Sequence, residues 1–101
     1  MSFKKLTDEQ IKELISRRRR QILVHSSIYY NYDTNIITDA QFDKFCNDLI
    51  KLQKEYPHLA QQCVYHEEFK KLEHASGFDL PYNMIEIRTK AMYLMKLRGL
   101  V

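Results

Sequence analysis

The chain has 101 residues, 45% hydrophobic and 29% charged, with a net charge of +3, which fits one domain and excludes wholesale disorder. Only two glycines and two prolines are present, so the expected fold class is all-α, in a single helical domain spanning 1–101, rather than turn-rich β. Residues 1–32 carry seven Lys and Arg against three acids, residues 33–86 five against ten, and residues 87–101 four against none. The acidic middle interrupts any continuous basic surface, and strong DNA binding is not expected.

Thr7-Asp8-Glu9-Gln10 has the form of a capping box. Ile11, Ile15, Ile22, Tyr29 and Tyr32 then recur at helical spacing, predicting a first helix of about 25 residues. Asp33-Thr34-Asn35 reads as a polar turn. Thr38 is the expected N-cap of a second helix, with Gln41 at its third position and Asp39 in its first turn. Phe42, Phe45, Cys46, Leu49, Leu52 and Tyr56 form its apolar stripe, and Pro57 ends it. The two helices are expected to form an antiparallel hairpin over about residues 7–57.

A helical extension over about residues 58–99 is expected to follow. Its first helix is weakly patterned and covers roughly 58–74, broken at Ser76-Gly77. Asp79-Leu80-Pro81 reads as the start of a last helix, with Asp79 as cap, Pro81 in the first turn and Gly99 at the exit.

Arg17-Arg18-Arg19-Arg20 invites a phosphate-binding reading, but four consecutive residues span most of a helix circumference and cannot share one face. The run is expected to be solvated. Arg18 is the exception: it falls on the apolar stripe and must snorkel, find an acid or mark the end of the core. His25 is expected to be a packed histidine rather than an acid or base. Cys46 and Cys63 read as buried thiols, not a disulfide framework. Cys63 and His66 lack two further ligands at tight spacing, and Lys70 stands where a His-Glu-x-x-His motif needs its second histidine, so no metal is expected. No apolar run approaches the length of a membrane span, and the N-terminus lacks a signal-peptide core, so the expected location is cytoplasmic.

The most informative stretch holds Tyr29-Tyr30, Asp33, Ile37-Thr38-Asp39-Ala40-Gln41-Phe42-Asp43, then Leu49, Leu52 and Tyr56-Pro57. From about Arg20 to Leu59 it resembles the N-terminal helical domain, called Ia, of bacterial NAD-dependent DNA ligases. That domain recognises the nicotinamide mononucleotide (NMN) half of NAD. The resemblance implies that Tyr29 and Tyr30 contact the nicotinamide ring and that Asp39 and Asp43 bind ribose or amide groups. Phe42 stands where the family has a tyrosine and lacks its hydroxyl. From spacing alone, Asp39 compensates the helix dipole, Phe42 is core and Asp43 is solvated.

The chain contains no Lys-x-Asp-Gly, the motif that carries the nucleophilic lysine of such ligases, so no enzyme activity and no required cofactor are expected of it. The leading expectation is a non-catalytic binding protein for NMN or an NAD-like nucleotide. Ser76-Gly77-Phe78-Asp79-Leu80-Pro81 resembles small proteins carried by phages of Gram-positive bacteria, which implies the host cytoplasm. The alternative expectation is therefore a phage-encoded interaction or inhibitor protein that targets a host replication, nuclease or defence factor and uses the hairpin as scaffold.

Overall fold

The structure, a computed structural model, describes residues 5–70 and 80–100. These contain five helices: α1 Asp8–Tyr32, α2 Asp39–Glu55, α3 Pro57–Gln61, α4 His66–Phe69 and α5 Ile85–Leu97. No strand occurs among the described residues, and the all-α expectation holds.

Both long helices begin as their capping sequences require. The Thr7 hydroxyl accepts from the Gln10 N–H at 3.2 Å, and the Gln10 side chain accepts from the Thr7 N–H at 2.9 Å. Thr38 and Gln41 repeat the exchange at 3.1 and 2.9 Å. Two orphan amides are satisfied at each start. α1 ends at Asp33, whose left-handed conformation (φ 51°, ψ 40°) lets its N–H donate to the Ile28 carbonyl. The chain turns back over residues 33–38 and enters α2. The pairing is antiparallel: Arg19 meets Gln53, and six residues later along α1 His25 meets Phe45, earlier on α2.

α1 is the central element, packed against both α2 and α5. That is why Ile22, Leu23 and Val24 are all buried, together with the small Ser26 and Ser27, and why no single apolar stripe describes this helix. α2 contributes Cys46, Leu49 and Leu52, and α5 contributes Ile87, Ala91 and Met95. Truncating Ile15 or Leu49, both fully buried, to alanine costs about 2–5 kcal/mol.

The arginine run departs from expectation. Arg17 pairs with Glu13 on the surface. Arg18 finds an acidic partner, Asp48, at 3.5 Å, and lies 4.8 Å from the Phe45 ring centre. Arg19 is fully buried, not solvated. Its guanidinium donates to the carbonyls of Ala60, Cys63 and Val64 at 3.1, 3.2 and 3.0 Å, and twice to the Gln53 side-chain oxygen at 3.1 and 2.8 Å. Arg19 continues the Ile11, Ile15 stripe by one turn and reaches across to the end of α3.

This contact explains why the expected 58–74 helix is split. Tyr65 takes a left-handed φ of 64°, an uncommon conformation for a bulky residue. The reversal there interrupts the i to i−4 ladder, the Cys63 and Val64 carbonyls turn to Arg19, and the Ala60 carbonyl is shared between Arg19 and the Cys63 N–H. Residues 71–74, the Ser76-Gly77 break and the Asp79 cap lie outside the described residues.

The last helix also begins later than expected. Pro81 precedes it rather than entering its first turn. The Tyr82 N–H donates to the Leu80 carbonyl at 2.9 Å in a tight turn, and α5 starts at Ile85 behind Met84 with no side-chain cap. Its exit is as read: Gly99 takes φ 71°, with Leu100 N–H to Met95 carbonyl at 3.0 Å and Gly99 N–H to Lys96 carbonyl at 3.0 Å. These two bonds make a Schellman motif.

Candidate functional site

The turn at 33–38 brings the last turns of α1 and the first turns of α2 to one end of the hairpin. Tyr29 and Tyr30 lie on the α1 side and are 52% and 40% exposed, although residues 22–28 just before them are all buried except the partly buried His25. Their rings meet edge to face, with centres 4.9 Å apart at 81°. Tyr82, from the turn before α5, stacks on Tyr30 with ring centres 5.0 Å apart at 27°. The sequence reading missed Tyr82. It lies 52 positions from Tyr30 in a segment with no periodic pattern, and only the packing of α5 against α1 brings it there.

Asp39, Phe42 and Asp43 lie on the α2 side, in its first two turns. Asp39 and Asp43 are exposed, and Phe42 is half-buried against the core. The carboxylates at i and i+4 share a helix face. Neither makes a side-chain hydrogen bond or an ion pair with a described residue. By contrast Asp48, nine residues on from Asp39, is engaged by Arg18 at 3.5 Å and Lys44 at 3.0 Å. Two unneutralised carboxylates on the α2 side and exposed aromatic rings on the α1 side of this hairpin end are groups of the chemical kind that meet a flat cation carrying hydroxyl or amide donors.

The same end of the hairpin offers no activated thiol from Cys46. Burial first, and the Asp43 charge second, push this thiol up to about 12, so it stays protonated at neutral pH. The Cys63 thiol is also buried and donates to the Leu59 carbonyl at 3.2 Å. Among the described residues no group of three or more His, Cys, Asp or Glu is placed to hold a metal.

A concavity of about 420 Å³ lies between α1 and α5, and its lining includes Arg20, Val24, His25, Ile87, Lys90 and Leu94. His25 Nδ1 is buried and has no hydrogen-bond partner. Burial, then the Arg98 charge, lowers the His25 pKa from its ordinary 6.5, which keeps the ring neutral. This agrees with a packed histidine.

Residues 8–62 match the family described as DNA ligase-like, N-terminal NAD+-binding domain. The chain is 33% identical over 91 residues to a DNA ligase of Pseudothermotoga lettingae, covering 79% of this chain and 13% of the ligase. It is 29% identical over 96 residues to a DNA ligase of Fervidobacterium nodosum, covering 82% of this chain and 14% of the ligase. A shorter match to a DNA ligase of Syntrophotalea carbinolica reaches 49% over 35 residues, covering 35% of this chain and 5% of the ligase. The chain thus spans less than a sixth of the length of these relatives. No solved structure matches it significantly. No helix among the described residues is long and apolar enough to cross a membrane. The matched region contains both helices of the hairpin, the second capping box and the Tyr29 to Asp43 segment, and the chain belongs to the DNA ligase-like, N-terminal NAD+-binding domain family.

Proposed function

We propose that this chain is a non-catalytic binding module that holds the nicotinamide mononucleotide half of a nicotinamide dinucleotide at the end of the α1–α2 hairpin. The observation that carries the reading is the match over residues 8–62 to an NAD+-binding domain, with Tyr29, Tyr30, Asp39, Phe42 and Asp43 at one end of that hairpin. The cationic ring would stack on a tyrosine face, and Asp39 and Asp43 would supply negative charge and accept from ribose hydroxyls or the carboxamide. The reading predicts recognition without chemistry, since the chain carries no Lys-x-Asp-Gly.

The test is calorimetric titration of the 101-residue chain with NMN, beside Asp43→Ala. Wild type should bind with modest affinity, and Asp43→Ala should weaken binding with an unchanged helical spectrum. No heat from wild type at millimolar ligand would leave the hairpin as a scaffold.

A second reading, an interaction protein directed at a host factor, is favoured by α5. Ile85, Tyr93, Leu97 and Leu100 are exposed large hydrophobics on or just after this helix, and Ile85 is 81% exposed. Exposed apolar residues grouped on one element mark contact surfaces. A pull-down with wild type and Leu97→Glu, scored for a partner lost only in the variant, tests it.

A further inference from the structure

We propose that Tyr82 is an internal occupant of the aromatic site, covering on Tyr30 the face that a nicotinamide ring would otherwise take. The inference rests on the nicotinamide reading above and adds a means of regulating that site. The Tyr30 and Tyr82 rings are nearly parallel, with centres 5.0 Å apart. A third ring between two parallel rings needs about 7 Å, twice the contact distance of carbon atoms. A ligand therefore cannot slide between them. It must displace Tyr82 to reach that face of Tyr30.

The origin of Tyr82 supports a regulatory role. It lies outside residues 8–62, the region that matches the NAD+-binding family. It is carried by the turn at 80–84, which belongs to no helix. Its N–H donates to the Leu80 carbonyl within that turn. Leu80 and Met84 on either side of it pack against the core and Ile87 of α5 is buried, so the Tyr82 ring can swing off Tyr30 by side-chain rotation while the turn and α5 stay docked. Tyr29, more exposed than Tyr30, remains a first contact for the ring before Tyr82 moves. Occupation of the face lowers the fraction of molecules ready to bind and weakens apparent affinity by that fraction.

The test is calorimetric titration of wild type, Tyr82→Phe and Tyr82→Ala with NMN, with the Tyr82 ring resonances followed by NMR in wild type. Tyr82→Ala should bind about two- to tenfold tighter, the range that one aromatic pair supplies, and Tyr82→Phe should bind like wild type. During the wild-type titration the Tyr82 ring signals should move toward those of an unstacked tyrosine. Unchanged or weaker binding by Tyr82→Ala, or Tyr82 signals that do not move while NMN binds, overturns the proposal. If Tyr82→Ala does not fold, the wild-type NMR result decides alone. Absence of binding by all three proteins overturns the nicotinamide reading itself, and this proposal with it.

Discussion

Arg19 and Gln53 are locked together across the hairpin. The Arg19 guanidinium donates twice to the Gln53 oxygen, at 3.1 and 2.8 Å, while the Gln53 amide nitrogen donates to the Phe69 carbonyl at 3.1 Å. One buried cation and one amide therefore tie α1 and α2 to the irregular segment that carries α3 and α4. Burial pulls the Arg19 pKa down, against the opposing influence of Cys63 and then Glu68, but an arginine in this setting stays protonated at neutral pH. Its charge is met by carbonyl dipoles instead of a carboxylate, including those at the end of α3.

Arg19→Met should be among the most damaging single changes in the chain. It takes the guanidinium donor from the Cys63 carbonyl, the part-buried Val64 carbonyl and the Gln53 oxygen, and leaves the Ala60 carbonyl with the Cys63 N–H, at about 1–3 kcal/mol for each group left unsatisfied. A loss of at least about 3 kcal/mol is expected, which for a domain this size lowers Tm by more than about 12 °C. Arg19→Lys should recover only part of the loss, because three ammonium donors cannot reproduce the planar fork. Thermal unfolding followed by circular dichroism checks both. A loss under 1 kcal/mol for Arg19→Met would show that these contacts are dispensable.

The pair should also be strongly coupled. Gln53→Leu removes the shared acceptor and the Phe69 contact together. A double-mutant cycle of Arg19→Met and Gln53→Leu is expected to give an interaction energy of about 1–3 kcal/mol, measured from urea midpoints. Additive losses would mean that the two side chains act independently.

The parts of the fold legible in the sequence were those with local causes. Thr7 and Gln10, Thr38 and Gln41, and Gly99 each act within a few residues, and each forms the cap expected of it. The buried state of Arg19 has no local signal. An arginine inside a run of four looks solvated, and its acceptors lie 34 to 45 residues away. The split of the third helix follows from the same distant contact and was equally hidden. At the candidate site the hairpin end was legible because α1, the turn and α2 are contiguous. Tyr82 was not, because tertiary packing brings it to Tyr30.

Gly99 offers a clean test of the local kind. Its φ of 71° is unfavourable for a residue with Cβ, although an added Cβ would meet no atom within 4 Å. Gly99→Ala should therefore cost about 1–2 kcal/mol through backbone strain alone, with the loss appearing as fraying of α5. Chemical denaturation gives the magnitude. A neutral or stabilising result would show that the Schellman turn is not retained in solution.

His25 should make stability fall on the acid side. Its folded pKa lies below the ordinary 6.5, through burial first and Arg98 second, so the unfolded chain binds the proton more readily. Stability from the neutral ring is fully present above about pH 6.5 and is lost as pH falls toward the lower folded value. Tm should drop between pH 7 and pH 5, and His25→Gln should flatten this part of the profile even if it lowers Tm at pH 7. An identical slope for wild type and His25→Gln would assign the acid sensitivity to carboxylates instead.

Phe42 tests the binding reading from the opposite direction, by adding a group. Phe42 is half-buried against the core, on the helix that carries Asp39 and Asp43. The resemblance to the ligase domain puts a tyrosine at this position. A hydroxyl at the ring's outer edge would gain a hydrogen bond to bound NMN worth about 0.5–1.5 kcal/mol. Phe42→Tyr should therefore tighten NMN binding by about two- to tenfold, the same free energy expressed as a ratio. Its unfolding curve should match wild type, provided the added oxygen points to water in the free protein. The gain should vanish in Phe42→Tyr combined with Asp43→Ala if the carboxylate is needed to seat the nucleotide. Calorimetry on the four proteins decides. Tighter binding that survives loss of Asp43 would place the nucleotide away from the carboxylate pair, and no change at all would show that the ring at Phe42 serves the core alone.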